Sequence, residues 1–431
     1  MRAIQNKFSA RLQIQSRLKQ YAAQGHTTDK CHIIIMGGTF LYPGIKESYR
    51  HSFMKEAFET LNWRGAPSEP AEQKSISRKR FASASSLRAA IDANEFAPHR
   101  AIGVTFETRP DFGNEREANE MLAMGGTQVE LGVQALSDRV YEKVRRGHTV
   151  DDVIRSTRIL KNSGFKLCYH MMPGLFSTPR QDVSYFKALF TSQNFQPDML
   201  KIYPALVLQG TPLYNMWERG DFTPYDTETA AEVIADATRF IPPYVRIPRV
   251  QRDIPSPLIS AGVKNSNLRQ IADRILAERG EKCRCIRCRE IGSSERKGTP
   301  SGKLRLSLSR INYAASGGKE IFLSFEDKEK DLLAGFLRLR IPGSSHRQEI
   351  GVSSSVVREL HVYGQEAAIG ERDSAKQQHK GLGRKLLQEA EEITKKEFGL
   401  PKISVLSGPG ARGYYRKFGY YLSGPYMAKK I

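Results

Sequence analysis

Long apolar runs are missing from this chain. No stretch approaches the ~20 consecutive apolar residues of a membrane span, and the polar start Met1-Arg2-Ala3-Ile4-Gln5-Asn6-Lys7 lacks the apolar core of a secretory signal. A cytoplasmic protein without a membrane segment is expected. Cysteine is scarce too, with 5 in 431 residues, too few for a disulfide framework of that size. Three crowd into Cys283-Arg284-Cys285-Ile286-Arg287-Cys288, which reads as metal ligation in a reducing compartment. Cys31 and Cys168 sit in apolar runs and read as packing residues. Acidic residues fall short of basic ones, 46 against 67, leaving a formal charge of +21. That excess exceeds what solubility requires and indicates a polyanionic partner, nucleic acid foremost. What the chain does have is enough apolar residue, 39%, to build real cores, and a length of 431 residues, beyond which one core stops growing. Two or more domains are expected.

Residues 31–36, 101–106, 127–133, 165–172, 198–203 and 244–250 are short β-rich runs separated by helical patterns. The clearest helix covers 149–163: Thr149 caps it, Asp151 and Asp152 suit its positive end, Val150, Val153, Ile154 and Leu160 form an apolar face, and Gly164 stops it. Alternating βα units predict an α/β fold with a parallel sheet or barrel, whose chemistry gathers at the C-terminal strand ends. Those ends carry Gly37-Gly38-Thr39, Glu107-Thr108-Arg109-Pro110, Gly132-Val133-Gln134, His170-Met171-Met172-Pro173 and Tyr203-Pro204. After a helix at 267–280, residues 281–305 hold Lys282, Arg284, Arg287, Arg289, Arg296, Lys297, Lys303 and Arg305 among Gly, Ser and Pro, a basic connector. An α+β pattern follows, with strands at 321–325, 333–339, 356–363 and 402–406 and a helix at 382–398. The expected divisions are a barrel at 1–262, a connector with a candidate zinc site at 263–316, and a smaller domain at 317–431. Residues 68–86 read as a polar insertion.

In the smaller domain, Gln378-His379-Lys380-Gly381-Leu382-Gly383 follows a strand and opens a helix. Glycines permit close backbone approach, and amides at a helix start favour anions, so this is a pyrophosphate-type site. Downstream lies Tyr414-Tyr415-Arg416-Lys417-Phe418-Gly419-Tyr420. Strand, Q-x-x-G-x-G loop, helix and closing aromatic motif in that order resemble the GNAT acetyltransferases. The resemblance implies that Leu360, His361, Val362, Gln378, His379, Lys380, Gly381, Leu382, Gly383, Arg384 and Tyr415 bind acetyl-CoA, and that Tyr415, with Tyr414 beside it, protonates the departing thiolate.

Both halves together resemble the catalytic subunit of the Elongator complex and its archaeal and bacterial homologues. The matching stretches are MGGTF at 36–40, ETRPD at 107–111, ELGVQ at 130–134, RRGHTV at 145–150, HMMPGL at 170–175, LKIYPALV at 200–207, IPRVQRDIP at 247–255, RELHVYG at 358–364 and GPYM at 424–427. This resemblance implies a partial radical S-adenosylmethionine barrel of TIM-like (β/α) type, N-terminally incomplete, followed by a GNAT domain. It implies a tRNA-modifying enzyme that uses acetyl-CoA, with S-adenosylmethionine and an iron–sulfur cluster, to form a carboxymethyl-type group at C5 of the wobble uridine. Gly37, Gly38 and Thr39 match the S-adenosylmethionine pocket, with Glu130, Gln134 and His170 as further members, and Lys201, Tyr203, Arg249 and Arg252 face the substrate. The anticodon stem-loop of tRNA would bind through connector groups including Arg284 and Arg287. Elongator-like subunits or self-association are implied as further partners.

The family's cluster-binding cysteines precede the segment that opens this chain, so the chain as given is not expected to build the cluster, as a shortened form or a natural variant without radical activity. Cys283, Cys285 and Cys288 have the wrong spacing and place for it. They fit structural zinc instead, with a fourth ligand from His32 or another cysteine. Two other readings compete: an acetyltransferase of protein lysines, and a catalytically silent tRNA-binding or assembly protein.

Overall fold

The computed structural model describes residues 2–63, 84–251, 254–292, 304–363 and 381–431. Its first half contains β1 (Lys30–Ile35), β2 (Arg100–Thr108), β3 (Gln128–Gln134), β4 (Lys166–Met171), β5 (Met199–Ile202), β6 (Val207–Leu208), β7 (Arg246–Val250) and β8 (Ile259–Ala261). Six of them form a parallel sheet in the order β1-β2-β3-β4-β5-β7, with β6 and β8 paired apart from it. Every residue of β3 is buried, as a central strand covered on both faces requires. The crossover helix Val150–Asn162 begins with Thr149 and Asp152 in a reciprocal capping box. Behind it, Gly164 takes a left-handed φ of 90°.

The second half is a seven-stranded sheet in the order β14-β15-β13-β12-β11-β10-β9. Its strands are β9 (Ser307–Ala315), β10 (Gly318–Asp327), β11 (Leu332–Ile341), β12 (Ser354–Val362), β13 (Lys402–Val405), β14 (Tyr421–Ser423) and β15 (Tyr426–Lys430). All neighbours are antiparallel except β12 and β13. This is a radical S-adenosylmethionine half-barrel of parallel strands joined to a GNAT-type domain. The sheet begins at β9, inside the stretch that reads as connector, because Ile311, Tyr313 and Ala315 turn toward β10 and the core while Arg310 and Asn312 turn away. The predicted 382–398 helix is α-helical over Leu382–Glu392 and widens into a π turn at Ile393–Glu397. There Thr394 bonds back to the Ala390 carbonyl at 2.7 Å and meets the Ser355 hydroxyl on β12. The 68–86 insertion lies almost wholly outside the described residues.

The two halves share one apolar core, running from Val104, Leu167 and Leu200 through Tyr244 to Phe322, Phe336, Val356 and Tyr426. Tyr244 stacks on Tyr313 with ring centroids 4.1 Å apart. Inside that core lies a charge network. Arg358 of β12 donates two bonds to Asp198, at 2.6 and 2.7 Å, and two to Glu320 Oε2, at 2.8 and 3.3 Å. Arg340 of β11 reaches Glu320 at 2.8 Å and grips Asn162 Oδ1 with Nε and Nη2. Lys161 stands 3.5 Å from both Asp198 and Glu320. The charged side chains of this network are at most 1% exposed. Ion pairs this deep hold only when each charge is met from several sides, and here the first half supplies Asp198, Lys161 and Asn162 while the second supplies Arg340, Arg358 and Glu320.

Candidate functional site

An open cleft of about 1090 Å³ lies at the C-terminal ends of the parallel strands. Gly37 and Gly38, just past β1, take φ values of 112° and 124°, and a Cβ added to either meets no atom within 4 Å. Only glycine adopts such a backbone easily, and it leaves the main chain bare toward the cleft. Facing it, Glu130 of β3 accepts a hydrogen bond from His170 Nε2 of β4 at 2.7 Å and a second from the Lys201 ammonium of β5. Burial pushes the Glu130 carboxyl up, but His170 and Lys201 outweigh it and hold it down at about 2. The ring of Tyr203 stands edge-on to His170 at 5.3 Å. Arg249 is the register partner of Lys201 on β7. Gln134, with a left-handed φ of 68°, ends β3, and its Oε1, like Thr108 Oγ1, is buried with no hydrogen-bond partner among the described residues. Such orphaned polar atoms suit a polar ligand.

Strand β12 carries the second site. A bulge at Arg358 breaks its register with β11, and its parallel pairing with β13 ends at Val357–Val405. Among the described residues, no strand pairs with that edge of Glu359–Val362, so the two strands open like a wedge. Gly381, with φ of 94°, begins the helix Leu382–Glu392 beside it, and Arg384 is exposed on the first turn. The Tyr414 hydroxyl overhangs Gly383, where an added Cβ would lie 2.5 Å from it. Tyr414 is 38% exposed, whereas Tyr415 is 6% exposed and packs in the core with Leu386 and Tyr420.

The chain matches the Radical SAM superfamily over residues 10–188, the Radical_SAM C-terminal domain over 197–278, and the Acetyltransferase (GNAT) family over 295–420. It is 45% identical to the tRNA uridine(34) acetyltransferase of Methanocaldococcus infernus and 46% identical to that of Dehalococcoides mccartyi, covering 100% of this chain and 78% and 90% of theirs. Identity to the Elongator complex protein 3 of Homo sapiens is 40%, over 100% of this chain and 75% of that protein. The chain belongs to the tRNA uridine(34) acetyltransferase and Elongator complex protein 3 family. Its fold is similar to the solved archaeal Methanocaldococcus infernus Elp3 with an N-terminal deletion (1–46), with a TM-score of 0.89 at 44% identity, covering 100% of this chain and 97% of that one.

Several residues of this family member stand differently from the sequence reading. Lys201, read as facing the substrate, is bound to Glu130, within the set read as the S-adenosylmethionine pocket. Cys168 is fully buried, as read, and its Sγ also lies within 4.8 Å of the ligand atoms of Glu130 and His170. Leu360 points into the acetyltransferase core, and the His361 ring packs against Phe336 and Tyr363. What these strand residues offer the wedge is therefore backbone. The cleft rim adds Lys143, Arg145, Arg146 and Arg219, which the sequence reading did not single out; the matched RRGHTV stretch held two of them. Gln378, His379, Lys380 and Arg252 lie outside the described residues.

The Sγ atoms of Cys283, Cys285 and Cys288 lie within 4.8 Å of one another. The Arg269 guanidinium stands 3.6 Å from the Cys285 sulfur and 3.7 Å from that of Cys288, a cation placed to offset negative thiolates. His32 is not part of this group among the described residues; its Nε2 is bonded to Thr105 Oγ1 at 2.7 Å. Nor are the other cysteines: Cys31 donates to the Thr28 carbonyl, and Cys168 sits with Glu130 and His170. The two arginines read as tRNA contacts brace this segment, Arg284 against Asp331 at 3.1 Å and Arg287 on the Pro248 carbonyl. No described helix is long and apolar enough to cross a membrane.

Proposed function

We propose that this chain modifies the wobble uridine of tRNA, forming a carboxymethyl-type group at C5 with acetyl-CoA as donor. The observation that carries this reading is the pairing of an acetyl-CoA wedge, with a tyrosine hydroxyl over its anion loop, to a basic cleft open enough for a nucleotide. In the wedge, the free edge of β12 receives the pantetheine arm, and the loop ending at Gly381 and Gly383 receives the pyrophosphate. Of the two tyrosines, Tyr414 is the one that reaches the departing thiolate. A phenol is protonated at neutral pH with its ordinary value of about 10, and burial pushes that of Tyr414 up, so the hydroxyl is present as a proton donor toward the thiolate. Tyr415 supports it from the core.

In the cleft, Gly37, Gly38, Thr39, Glu130, Gln134 and His170 suit S-adenosylmethionine, the glycines by their bare backbone and Gln134 by its unpartnered oxygen. S-adenosylmethionine would be a radical source only with an external one-electron donor to cleave its sulfonium bond. Among the described residues no cysteine lines this cleft, and Cys168 lies fully buried beside Glu130 and His170, so these residues do not make the thiolate set of an iron–sulfur cluster. Cys283, Cys285 and Cys288 suit structural zinc, with the fourth position left to a ligand from elsewhere. Chelation is expected to lower the melting temperature by roughly 5 °C; an unchanged melting curve, with no zinc found by elemental analysis, removes the metal from this reading.

The test is acetyl-CoA hydrolysis by the full chain with and without tRNA. Stimulation by tRNA that fades steeply with added salt is expected, since phosphate contacts release counterions. Tyr414→Phe is expected to lower the rate about 100-fold, and Tyr415→Phe much less. Hydrolysis indifferent to tRNA, with acetyl transfer to peptide lysines, would replace this function with a protein acetyltransferase; tRNA affinity without turnover would replace it with a silent binder.

A further inference from the structure

The helix that carries Tyr414 is only five residues long, Arg412–Arg416. So short a helix cannot hold its own direction. Its inner side is fixed by Tyr415 in the acetyltransferase core, but both of its terminal arginines reach out of that domain. Arg412 Nη1 donates to Asp92 Oδ1 at 2.8 Å, and Arg416 grips Glu95 with two bonds, Nε to Oε1 at 2.6 Å and Nη2 to Oε2 at 3.1 Å. Asp92 and Glu95 belong to the barrel half, at the end of the helix Leu87–Ala93 and in the turn Asn94–Phe96.

That turn is itself immobilised. Asn94 is fully buried, accepts from the Ala101 amide of β2 at 2.7 Å, and donates to Asn62 and to the His99 carbonyl. Glu95 is only 5% exposed, and the hydrogen bonds recorded for its carboxylate both come from Arg416. A buried carboxylate with one bidentate partner fixes that partner's place firmly. On the other side of the short helix, the turn Pro409–Ala411 lies backbone to backbone on β2. Cβ atoms added to Gly408 and Gly410 would stand 2.3 Å from the Ile102 carbonyl carbon and 2.4 Å from Arg100 Cβ.

We infer that Glu95, with Asp92, is a positioning residue for the acetyltransferase reaction: the barrel half clamps the helix Arg412–Arg416 and so sets where the Tyr414 hydroxyl stands over Gly383. The inference rests on Tyr414 being the acid of the proposed function. It makes the acetyl-CoA site a composite, with its proton donor aimed from the neighbouring domain. Glu95→Gln keeps the shape of the side chain and removes its charge. Arg416→Lys keeps the charge and removes the two-pronged grip.

The test places 3-fluorotyrosine at position 414 in the full chain and reads its fluorine resonance together with tRNA-stimulated acetyl-CoA hydrolysis. Glu95→Gln is expected to shift or broaden that resonance and to lower kcat about 10- to 100-fold, with KM for acetyl-CoA within about twofold. Arg416→Lys is expected to fall between the variant and the parent. Arg310→Ala, which breaks the Arg310–Glu397 pair elsewhere in the same domain, should leave the resonance in place. An unmoved resonance in Glu95→Gln overturns the clamp whatever the rate does, as does a KM that rises while kcat stays constant. A resonance that moves in a chain whose parent form hydrolyses no acetyl-CoA leaves the clamp standing and removes the proposed function instead. Should Glu95→Gln fail to fold, Arg416→Lys decides by the same two readings.

Discussion

Asp198→Ala is expected to destabilise the chain by about 3–5 kcal/mol, the range found when one partner of a buried ion pair is removed. Asp198 accepts both prongs of Arg358, lies 3.5 Å from Lys161 and 3.8 Å from Arg338, and also accepts the Leu167 amide. Alanine would leave a guanidinium and an ammonium in a site with no solvent to receive them. Denaturant titration followed by circular dichroism measures the loss; a change below about 1 kcal/mol, the scale of an exposed pair, would sink the argument. The network also carries a pH signature. Burial alone would raise the carboxyls of Asp198, Glu320 and Glu359, but the arginines and lysines around them hold all three below their ordinary range. Groups with lowered folded pKa values stabilise the native state above the unfolded carboxyl pKa, about 4, and that stability is lost as pH falls through the lowered folded values. The parent chain should lose stability steeply below about pH 4, and Asp198→Ala should follow a flatter slope there.

Gly408→Ala is expected to cost about 3 kcal/mol, the upper part of the usual overpacking range, although the substitution adds one methyl group. Its φ of −60° suits any residue, so conformational freedom is not the reason. The reason is contact: the nearest atoms to an added Cβ are the carbonyl carbon and oxygen of Ile102, at 2.3 and 2.4 Å. They belong to the backbone of β2, where its register with β1 is broken, and cannot rotate away as a side chain would. The turn Pro409–Ala411 and the start of β2 must move apart locally, and calorimetry should show a lowered melting temperature. A single transition at the parent's temperature would mean that this approach is looser than the distances state.

The parallel strands were legible because each is a short apolar run bounded by turn residues, and 31–36, 101–106 and 244–250 fall within about two residues of β1, β2 and β7. Much of the cleft was legible for the same reason, since Thr39, Glu107, Thr108, Arg109, Gln134 and His170 at four of the five predicted strand ends line it. The interface between the halves was not. Arg338 and Arg340 alternate with Leu337 and Leu339, the pattern of a strand with one wet face, yet both are buried against the barrel. Local alternation reports that two faces differ and is silent on what covers each. Tyr414 and Tyr415 are neighbours on a single turn, and only the placed helix separates the core-facing ring from the loop-facing hydroxyl. The pairing of Cys168 with Glu130 and His170 joins three positions on two adjacent strands, a relation of register that spacing along the chain does not carry.

Arg338, Arg340 and Arg358 project from adjacent strands of one sheet into carboxylates, an amide and carbonyls of the barrel. An acetyltransferase domain grafted from an unrelated enzyme would bring none of them, and Asp198 would then keep Lys161 of its own half as its counterion and lose the arginines. Modular exchange is closed to this pair of folds. Each half constrains substitution in the other, so lineages carrying this architecture must inherit both together and change the facing positions in concert.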